Sequence, residues 1–284
     1  METIRMIRVM QETSKRHSFK GKTIGFVPTM GALHEGHLSL VKRAKSENDI
    51  VVVSIFVNPM QFGPGEDFDR YPRDMEKDME KLRSSDVDIL FVPEDKNLYP
   101  EGFAIHIIIE GLTERLCGAF RPGHFTGVVT VVCKLFNIIK PTRAYFGQKD
   151  YQQTVVVNKL VEYLNMDIEV VTCPTVRESD GLAMSSRNAF LSADERAAAT
   201  VLYKALSLAS QMVKSGSCGP EEAKNKLAAL LRAEPLVSDI QYAGIYDPET
   251  LVELEEFKRQ NLVAAAIKIG GARLIDNVIV DKGR

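Results

Sequence analysis

The sequence predicts an α/β protein with two domains, because the order of its segments changes once along the chain. In the first part, short apolar runs alternate with helical segments, which is typical of a parallel sheet connected by helices. From about residue 177, two helical segments are followed by three strand-like runs. We therefore predict a Rossmann-like parallel sheet with helices on both faces for residues 1–176, and a smaller C-terminal α+β domain for residues 177–284.

The first domain is predicted element by element from apolar spacing. Apolar residues at helical spacing indicate a helix at 3–16, and the apolar run at 23–27, closed by Pro28, indicates a buried strand. The further helices are predicted at 38–48, 74–85, 124–139 and 151–164, and the further strands at 50–57, 89–92, 144–147 and 168–173. In the second domain, helices are predicted at 193–215 and 221–233 and strands at 239–246, 262–269 and 273–280.

Composition excludes several classes of protein. The chain has 284 residues, of which 45% are hydrophobic and 26% charged, as in globular proteins. Its 36 basic and 38 acidic residues give a net charge of -2, so no overall attraction to nucleic acid or anionic membrane is expected. The four cysteines form no CxxC pair, which favours reduced thiols. No signal peptide or long apolar run is evident, so we expect a cytoplasmic protein.

The strongest local signal is PTMGALHEGH at 28–37, between the first predicted strand and the next helix. In an open parallel sheet, this position brings a helix N-terminus with unpaired amides to the ligand-binding edge, where phosphate is favoured. Gly31 and Gly36 permit a close approach of the backbone to a ligand. His34 and His37 add donors where negative charge grows during transfer at phosphorus. The HxGH spacing is typical of nucleotidyltransferases and class I aminoacyl-tRNA synthetases.

Two other interpretations of the histidine pair stay open at this point. His34 and His37 are one turn apart, as two zinc ligands can be, but they are not part of an HExxH pattern, and no third ligand is evident among His17, His106 and His124. They are also compatible with surface histidines that only cap the helix.

A second segment, MSSR at 184–187, follows DGLA at 180–183. The hydroxyls of Ser185 and Ser186 and the planar guanidinium of Arg187 can bind a triphosphate. Taken alone, Ser-Ser-Arg is typical of a surface turn. Downstream of an HxGH segment, it occupies the place of the second nucleotide-binding loop of synthetases, and this pairing favours nucleotide binding.

Polar residues also follow two of the predicted strands. In YFGQKDYQQ at 145–153, Lys149 can neutralise phosphate charge, Asp150 can cap a helix or bind a ribose hydroxyl, and Gln153 lies one turn beyond Lys149. A plain capped helix start is the alternative. In FVNPMQFG at 56–63, Asn58 and Gln61 offer uncharged amides suited to hydroxyls and a carboxylate. The segments at 67–74 and 121–125 are expected to be mainly structural.

In their order and spacing, these segments resemble the pantothenate synthetase (pantoate–β-alanine ligase) family. The resemblance covers nearly the whole chain and is carried by PTMGALHEGH (28–37), FVNPMQFGP (56–64), YPRD (71–74), RPGHF (121–125), YFGQKDYQQ (145–153), DGLAMSSRN (180–188) and RLIDN (273–277). HxGH alone indicates only a nucleotidyltransferase, whereas the seven segments together are specific.

The resemblance implies an ATP-dependent ligase that condenses (R)-pantoate with β-alanine through pantoyl adenylate, releasing AMP and pyrophosphate, with Mg²⁺ arriving on the ATP phosphates. His37 is implied to be the proton donor, with His34, Lys149 and Arg187 as the other catalytic residues. Gln61 and Gln153 are implied to bind pantoate, and Gln61 also β-alanine. The residues implied to contact ATP are Met30, Gly31, Ala32, Leu33, His34, Glu35, Gly36, His37, Gly147, Gln148, Lys149, Asp150, Val176, Met184, Ser185, Ser186 and Arg187.

Two other functions stay open alongside this one. Another adenylyltransferase of the same fold would have no use for Gln61 and Gln153. A non-catalytic nucleotide-binding or RNA-adaptor protein is disfavoured by the intact phosphate-binding residues and by the balanced charge. The resemblance further implies a homodimer whose partners are small-molecule substrates, not nucleic acid or membrane. The second domain is expected to carry the MSSR loop and to close over the site.

Overall fold

The computed structural model describes residues 1–283, which divide into two compact units. The first unit contains residues 1–113, 121–147 and 153–174, and the second contains 114–120, 148–152 and the chain from residue 175 onward. The units are therefore interleaved in the sequence, whereas the predicted domains are continuous, and their boundary at residue 176 stays a prediction.

A six-stranded sheet forms the centre of the first unit, and its strand order is β1-β4-β3-β2-β5-β6. Every pairing is parallel, which confirms the predicted α/β class. The strands are β1 (Glu2–Ile4), β2 (Ile24–Thr29), β3 (Ile50–Ile55), β4 (Ile89–Phe91), β5 (Arg143–Gly147) and β6 (Glu169–Cys173). β1 was not predicted, since three residues at the edge of a sheet carry too little pattern.

The helices that connect these strands are α1 (Ile7–Phe19), α2 (Glu35–Glu47), α3 (Met75–Ser84), α4 (Asp95–Leu98), α5 (Cys117–Phe120), α6 (His124–Ile139) and α7 (Tyr151–Tyr163). The helix predicted at 3–16 begins later, at Ile7, because the chain before it is extended and pairs with β4. The helix predicted at 124–139 has the bounds of α6. Within residues 1–283, every helix is too short or too polar to cross a membrane.

Helices cover both faces of the parallel sheet, as neighbouring residues of β2 show. The ring of Phe26 packs edge-on against Phe136 of α6, with centroids 6.3 Å apart. The next residue, Val27, belongs to a buried cluster with Leu40 and Val41 of α2. Successive side chains of a strand point to opposite faces, so α6 and α2 lie on opposite sides. This arrangement explains why all six residues of β3 are buried.

The second unit combines helices with an antiparallel sheet of order β7-β8-β9. Its further elements are α8 (Ala193–Ala198), α9 (Val201–Ser215), α10 (Pro220–Arg232), β7 (Val237–Tyr246), β8 (Gln260–Ile269) and β9 (Ala272–Asp281). The prediction of a single helix at 193–215 is therefore wrong, because two helices, α8 and α9, occupy this range. The helix is interrupted at 199–200, where the hydroxyl of Thr200 donates to the carbonyl of Ala197 at 2.8 Å, a bond that competes with the regular helical pattern.

A buried carboxylate, Asp247, closes the turn that follows β7. Its Oδ1 accepts the backbone N–H groups of Glu249 and Thr250 and the hydroxyl of Thr250, and its Oδ2 accepts from Nζ of Lys258 at 2.5 Å. Burial acts against ionisation, but these bonds prevail and lower the pKa of Asp247 to about 2. The ionised carboxylate is thus stabilised by folding.

We expect Asp247→Asn to lower the free energy of unfolding near neutral pH by about 2 kcal/mol, which is the linkage value of a pKa lowered from 3.8 to about 2. Since the folded-state pKa lies below the unfolded one, this contribution is complete above the unfolded pKa and disappears as the pH falls through the folded pKa. Urea unfolding of both proteins over this pH range measures it. A difference between wild type and variant that does not shrink with acidification would contradict the assignment.

Candidate active site

The HxGH segment lies at the carboxyl end of β2 and at the start of α2. β2 ends at Thr29 and α2 begins at Glu35. Between them, Gly31 (φ 82°) and Ala32 (φ 51°) adopt left-handed backbone conformations, which turn the chain sharply into the helix. In open α/β sheets, ligands bind beyond the carboxyl ends of the strands. The predicted position of this segment is therefore the one observed.

His34 and His37 cap α2 reciprocally. Nδ1 of His34 accepts the N–H of Gly36 at 3.1 Å, and Nδ1 of His37 accepts the N–H of His34 at 3.3 Å. The ring centroids are 4.1 Å apart. A ring nitrogen that accepts a hydrogen bond must carry a lone pair, so each neutral imidazole holds its proton on Nε2. Helix capping, one of the open alternatives, is thus a real role of both residues, and the capping bonds are made by Nδ1.

A metal ion bound through Nδ1 would need the same lone pairs that accept these backbone hydrogen bonds. Across residues 1–283, no group of three or more His, Cys, Asp or Glu side chains is placed to hold a metal ion. The four cysteines are free thiols, and Cys117 and Cys173 are buried.

Most backbone amides of the HxGH loop are bonded within the protein. The Gly31 N–H donates to Oγ1 of Thr29, and the N–H groups of Ala32 and Leu33 donate to the two carboxylate oxygens of Asp78, each at 2.8 Å. The expectation that unpaired amides here bind phosphate is therefore wrong for these positions, and the same holds for the two amides bonded to the histidines.

Asp78 is the residue that fixes this loop, and it is not among the residues predicted from the sequence. It lies on α3 and is only 2% exposed. One turn later, Nζ of Lys81 donates to the carbonyl of Leu33 at 2.5 Å. A sequence signal existed: Asp78 falls on the apolar face that Met79 and Leu82 define on a strongly charged helix. An acidic residue at such a position needs buried partners.

We expect Asp78→Asn to lower the free energy of unfolding by about 1–3 kcal/mol, because the amide keeps one acceptor oxygen and leaves one loop N–H without its partner. Hydrogen exchange at Ala32 and Leu33 should also become faster. Glu80→Gln is the matched control, since Glu80 is exposed on the same helix. Unchanged exchange of both loop amides in Asp78→Asn would contradict this role.

Gln61 lies in a short 3-10 turn after β3, and buried Asn58 orients its side chain. Nδ2 of Asn58 donates to Oε1 of Gln61 at 3.1 Å and to the carbonyl of Gly127 at 3.1 Å, while Oδ1 accepts the hydroxyl of Tyr99 at 2.8 Å. Asn58 has no measurable exposure, so the expectation that it offers its amide to a substrate is wrong. On the other side, Nε2 of Gln61 lies 2.8 Å from Sδ of Met30.

The main chain of Gln61 is held by the RPGHF segment. The Arg121 guanidinium pairs with both carboxylate oxygens of Glu66 at 2.8 and 2.6 Å and donates to the Gln61 carbonyl at 3.2 Å. Nδ1 of His124 lies 2.8 Å from the same carbonyl, and its Nε2 lies 3.0 Å from Nη1 of Arg121. A carbonyl only accepts and a guanidinium only donates, so His124 is neutral with its proton on Nδ1.

The Glu66 carboxylate that pairs with Arg121 stays ionised. Burial of Glu66 opposes its ionisation, but the hydrogen bonds and charge of Arg121 prevail and lower the pKa of the Glu66 carboxyl. The segment that the sequence suggested to be mainly structural therefore determines where Gln61 lies.

The remaining predicted residues fall in both units. Gly147 ends β5 and Gln153 lies, half-buried, in the first turn of α7; both belong to the first unit. In the second unit, residues 148–150 form a 3-10 turn, and the Met184 N–H donates to the Val176 carbonyl at 3.0 Å. The hydroxyl of Ser185 accepts the Arg187 N–H at 3.3 Å and caps the turn Ser186–Phe190. The structure thus brings Val176 and the MSSR loop together.

Comparison with known proteins gives one consistent result. The sequence profile of the pantoate-beta-alanine ligase family matches residues 2–279. The chain is 59% identical over 281 residues to the pantothenate synthetase of Thermodesulfovibrio yellowstonii, with 99% of this chain and 100% of the relative covered. It is 53% identical over 281 residues to that of Fervidobacterium nodosum, with the same coverage.

Solved structures agree with the sequence relatives over the full length. A crystal structure of pantothenate synthetase from Thermus thermophilus matches with a TM-score of 0.93 and 48% identity, covering 98% of this chain and 99% of that one. Pantoate-beta-alanine ligase from Francisella tularensis, complexed with beta-gamma ATP and beta-alanine, matches with a TM-score of 0.81 and 38% identity, covering 98% and 97%. This chain therefore belongs to the pantoate–β-alanine ligase family.

Proposed function

We propose that this chain is an ATP-dependent ligase that joins (R)-pantoate to β-alanine and releases AMP and pyrophosphate. Family membership supports the reaction class, and the observation that carries the chemistry is the orientation of the paired imidazoles. Both rings of the HxGH segment use Nδ1 as an acceptor within the protein, so Nε2 is the donor atom of each. Two such donors beyond the carboxyl end of β2 suit a reaction in which negative charge develops on a phosphate.

The proposed reaction has two balanced steps. A carboxylate oxygen of pantoate attacks the α-phosphorus of ATP, the bond between that phosphorus and the β-phosphate oxygen breaks, and pyrophosphate leaves. The amine of β-alanine then attacks the acyl carbon of pantoyl adenylate, loses a proton, and displaces AMP. Both steps bring anions or dipoles together in a fixed geometry, so positioning and charge stabilisation supply the catalysis.

The side chains that the family resemblance implies are assigned to these steps. His37 donates from Nε2 to the phosphate at which charge develops, with His34 beside it, and Lys149 and Arg187 offset the charge of the phosphates. ATP is contacted by the HxGH loop, by residues 147–150, by Val176 and by the MSSR loop. Gln61 and Gln153 bind the hydroxyls and carboxylate of pantoate, and Gln61 also contacts β-alanine.

The proposal includes Mg²⁺ as an ion that arrives on ATP. The triphosphate oxygens would hold this ion, which would neutralise part of the phosphate charge. A homodimer, which the family resemblance implies, and a cytoplasmic location, which the sequence predicts, complete the proposal.

Isotope exchange between pyrophosphate and ATP tests the proposal most directly. Purified protein is incubated with Mg²⁺, ATP and labelled pyrophosphate, with or without (R)-pantoate, and without β-alanine. We expect exchange that depends on pantoate, followed by AMP and pantothenate formation when β-alanine is added. Exchange without pantoate, or none with folded protein, would overturn the assignment of the acid substrate.

A further inference from the structure

The RLIDN segment at 273–277 carries part of the family resemblance, but none of the steps above uses it. It lies on β9 in the second unit, and its last two residues, Asp276 and Asn277, are each 3% exposed. Two adjacent buried polar residues on one strand are unusual, since burial of polar groups is costly unless they are hydrogen-bonded. Their partners therefore indicate what they do.

Asn277 bonds the backbone of the turn that contains Lys149. Its Nδ2 donates to the carbonyls of Gln148 and Lys149, each at 2.9 Å, and its Oδ1 lies 3.4 Å from Nε2 of Gln148. One side-chain amide thus fixes two consecutive carbonyls of a three-residue turn. The direction in which the Lys149 side chain leaves the main chain depends on these bonds.

Asp276 bonds a second nucleotide-binding segment through Arg177. The Arg177 guanidinium pairs with both oxygens of Asp276 at 2.5 and 2.9 Å, and it donates to the carbonyl of Gly181 at 3.1 Å. The guanidinium carbon also lies 3.9 Å from the ring centre of Tyr203. Gly181 precedes the MSSR loop, so this arginine holds the segment that leads into that loop.

The two halves of this arrangement are themselves connected. Oδ1 of Asp276 accepts the backbone N–H of Asn277 at 2.7 Å, and Nη2 of Arg177 lies 3.4 Å from the Asn277 carbonyl. All of these residues belong to the second unit. The same two strand residues therefore hold the turn of Lys149 and the loop that leads to Arg187.

We propose that Asp276 and Asn277 are positioning residues: they hold Lys149 and the MSSR loop in the positions from which both bind one triphosphate. This inference rests on the proposed function, because it assigns both segments to ATP. Binding of a transferring phosphate by two cations requires their positions to be fixed, and a misplacement of about 1 Å can reduce a rate by on the order of 10²-fold. The buried pair meets that requirement without touching the nucleotide.

A matched control exists in the same sheet. Asn261 on β8 is also buried; it accepts the Lys258 N–H at 2.9 Å and donates to the Lys258 carbonyl at 2.8 Å. Its bonds hold a turn to which no nucleotide contact is assigned. Replacing either asparagine by alanine removes a buried amide, so the loss of stability is comparable, while only Asn277 bonds the turn of Lys149.

The test is a double-mutant cycle that combines Asn277→Ala with Lys149→Met, with Asn261→Ala as control. We expect Asn277→Ala to lower kcat for pantoate-dependent exchange by roughly 10²-fold, with little further loss in the double variant. Asn261→Ala should stay within about three-fold of wild type in kcat while losing comparable stability. Asn277→Ser, which keeps one donor, should be intermediate and serves if the alanine variant does not fold.

Three results would overturn the inference. The first is that the kcat losses of Asn277→Ala and Lys149→Met multiply fully in the double variant. The others are a kcat of Asn277→Ala or Asn277→Ser within about three-fold of wild type, and a kcat loss in Asn261→Ala equal to that in Asn277→Ala. If wild type shows no pantoate-dependent exchange, the proposed function fails and the Kd for Mg-ATP decides the positioning role. Asn277→Ala should then weaken ATP binding and Asn261→Ala should not. Absence of ATP binding by folded wild type would overturn both.

Discussion

His37→Asn is expected to lower kcat for pantoate-dependent pyrophosphate exchange by roughly 10²–10⁴-fold, the range for loss of one positioned donor or acid. The asparagine amide reaches about as far as Nδ1 and can still accept the His34 N–H that Nδ1 accepts at 3.3 Å. It places no donor where Nε2 lies. His37→Asn therefore removes the proposed chemistry and keeps the cap of α2.

His37→Gln makes the opposite change. Its amide nitrogen reaches the position of Nε2, but no acceptor remains at Nδ1, so the capping bond is lost. We expect a free energy of unfolding lower by about 0.5–2 kcal/mol and a kcat at least about ten-fold above that of His37→Asn, because stabilisation of growing charge needs a donor only. Equal kcat losses in both variants would indicate proton transfer by His37.

The two variants also decide between a catalytic and a purely capping histidine. If capping were the whole role, kcat would follow stability, and His37→Asn would be the more active protein. His106→Asn is the control, since His106 is exposed and lies in no predicted site segment. A His37→Asn variant with kcat within about three-fold of wild type would contradict the catalytic assignment.

The regular part of the fold could be predicted from the sequence because its signals are local. β3 is β-branched at every position but Ser54, and α6 is a long, mostly apolar segment from His124 to Ile139. Where prediction failed, the deciding bond was not visible in that pattern. The interruption after α8 falls where the hydroxyl of Thr200 bonds the carbonyl of Ala197, and β1 pairs with β4, which is distant in the sequence.

The candidate site divides in a similar way. The residues predicted to touch substrate lie in short motifs with chemically distinctive side chains, which a sequence pattern can mark. The residues that hold them are distant in sequence: Asp78 bonds a loop 45 and 46 residues earlier, and Asn277 bonds a turn 128 and 129 residues earlier. Each acts through backbone groups, which every residue type has, so no local pattern marks the partner. Asn58 is the opposite case: its motif suggested that it binds substrate, whereas it is buried and orients Gln61.

Gln61→Ala tests substrate recognition, and its largest effect is expected on the selectivity for pantoate over an acid that lacks the hydroxyls. A site built to bond the hydroxyls of pantoate should reject 3,3-dimethylbutyrate, which has the same carbon skeleton without hydroxyls, by on the order of 10⁴-fold in kcat/KM. The rejection arises because polar groups of the site would lose their partners. Oε1 of Gln61 accepts one bond from Asn58 and keeps a second lone pair for a substrate hydroxyl.

We expect Gln61→Ala to lower kcat/KM for pantoate by roughly 10²–10³-fold and kcat/KM for 3,3-dimethylbutyrate by less than about three-fold, so that selectivity collapses. Arg121→Lys is the companion variant, because lysine cannot reproduce the paired bonds to Glu66 and the bond to the Gln61 carbonyl. Arg121→Lys should also lower the ratio of kcat/KM for pantoate to kcat/KM for 3,3-dimethylbutyrate, but by a smaller factor. If Gln61→Ala lowers kcat/KM equally for both acids, Gln61 supports the fold or ATP and does not read the hydroxyls.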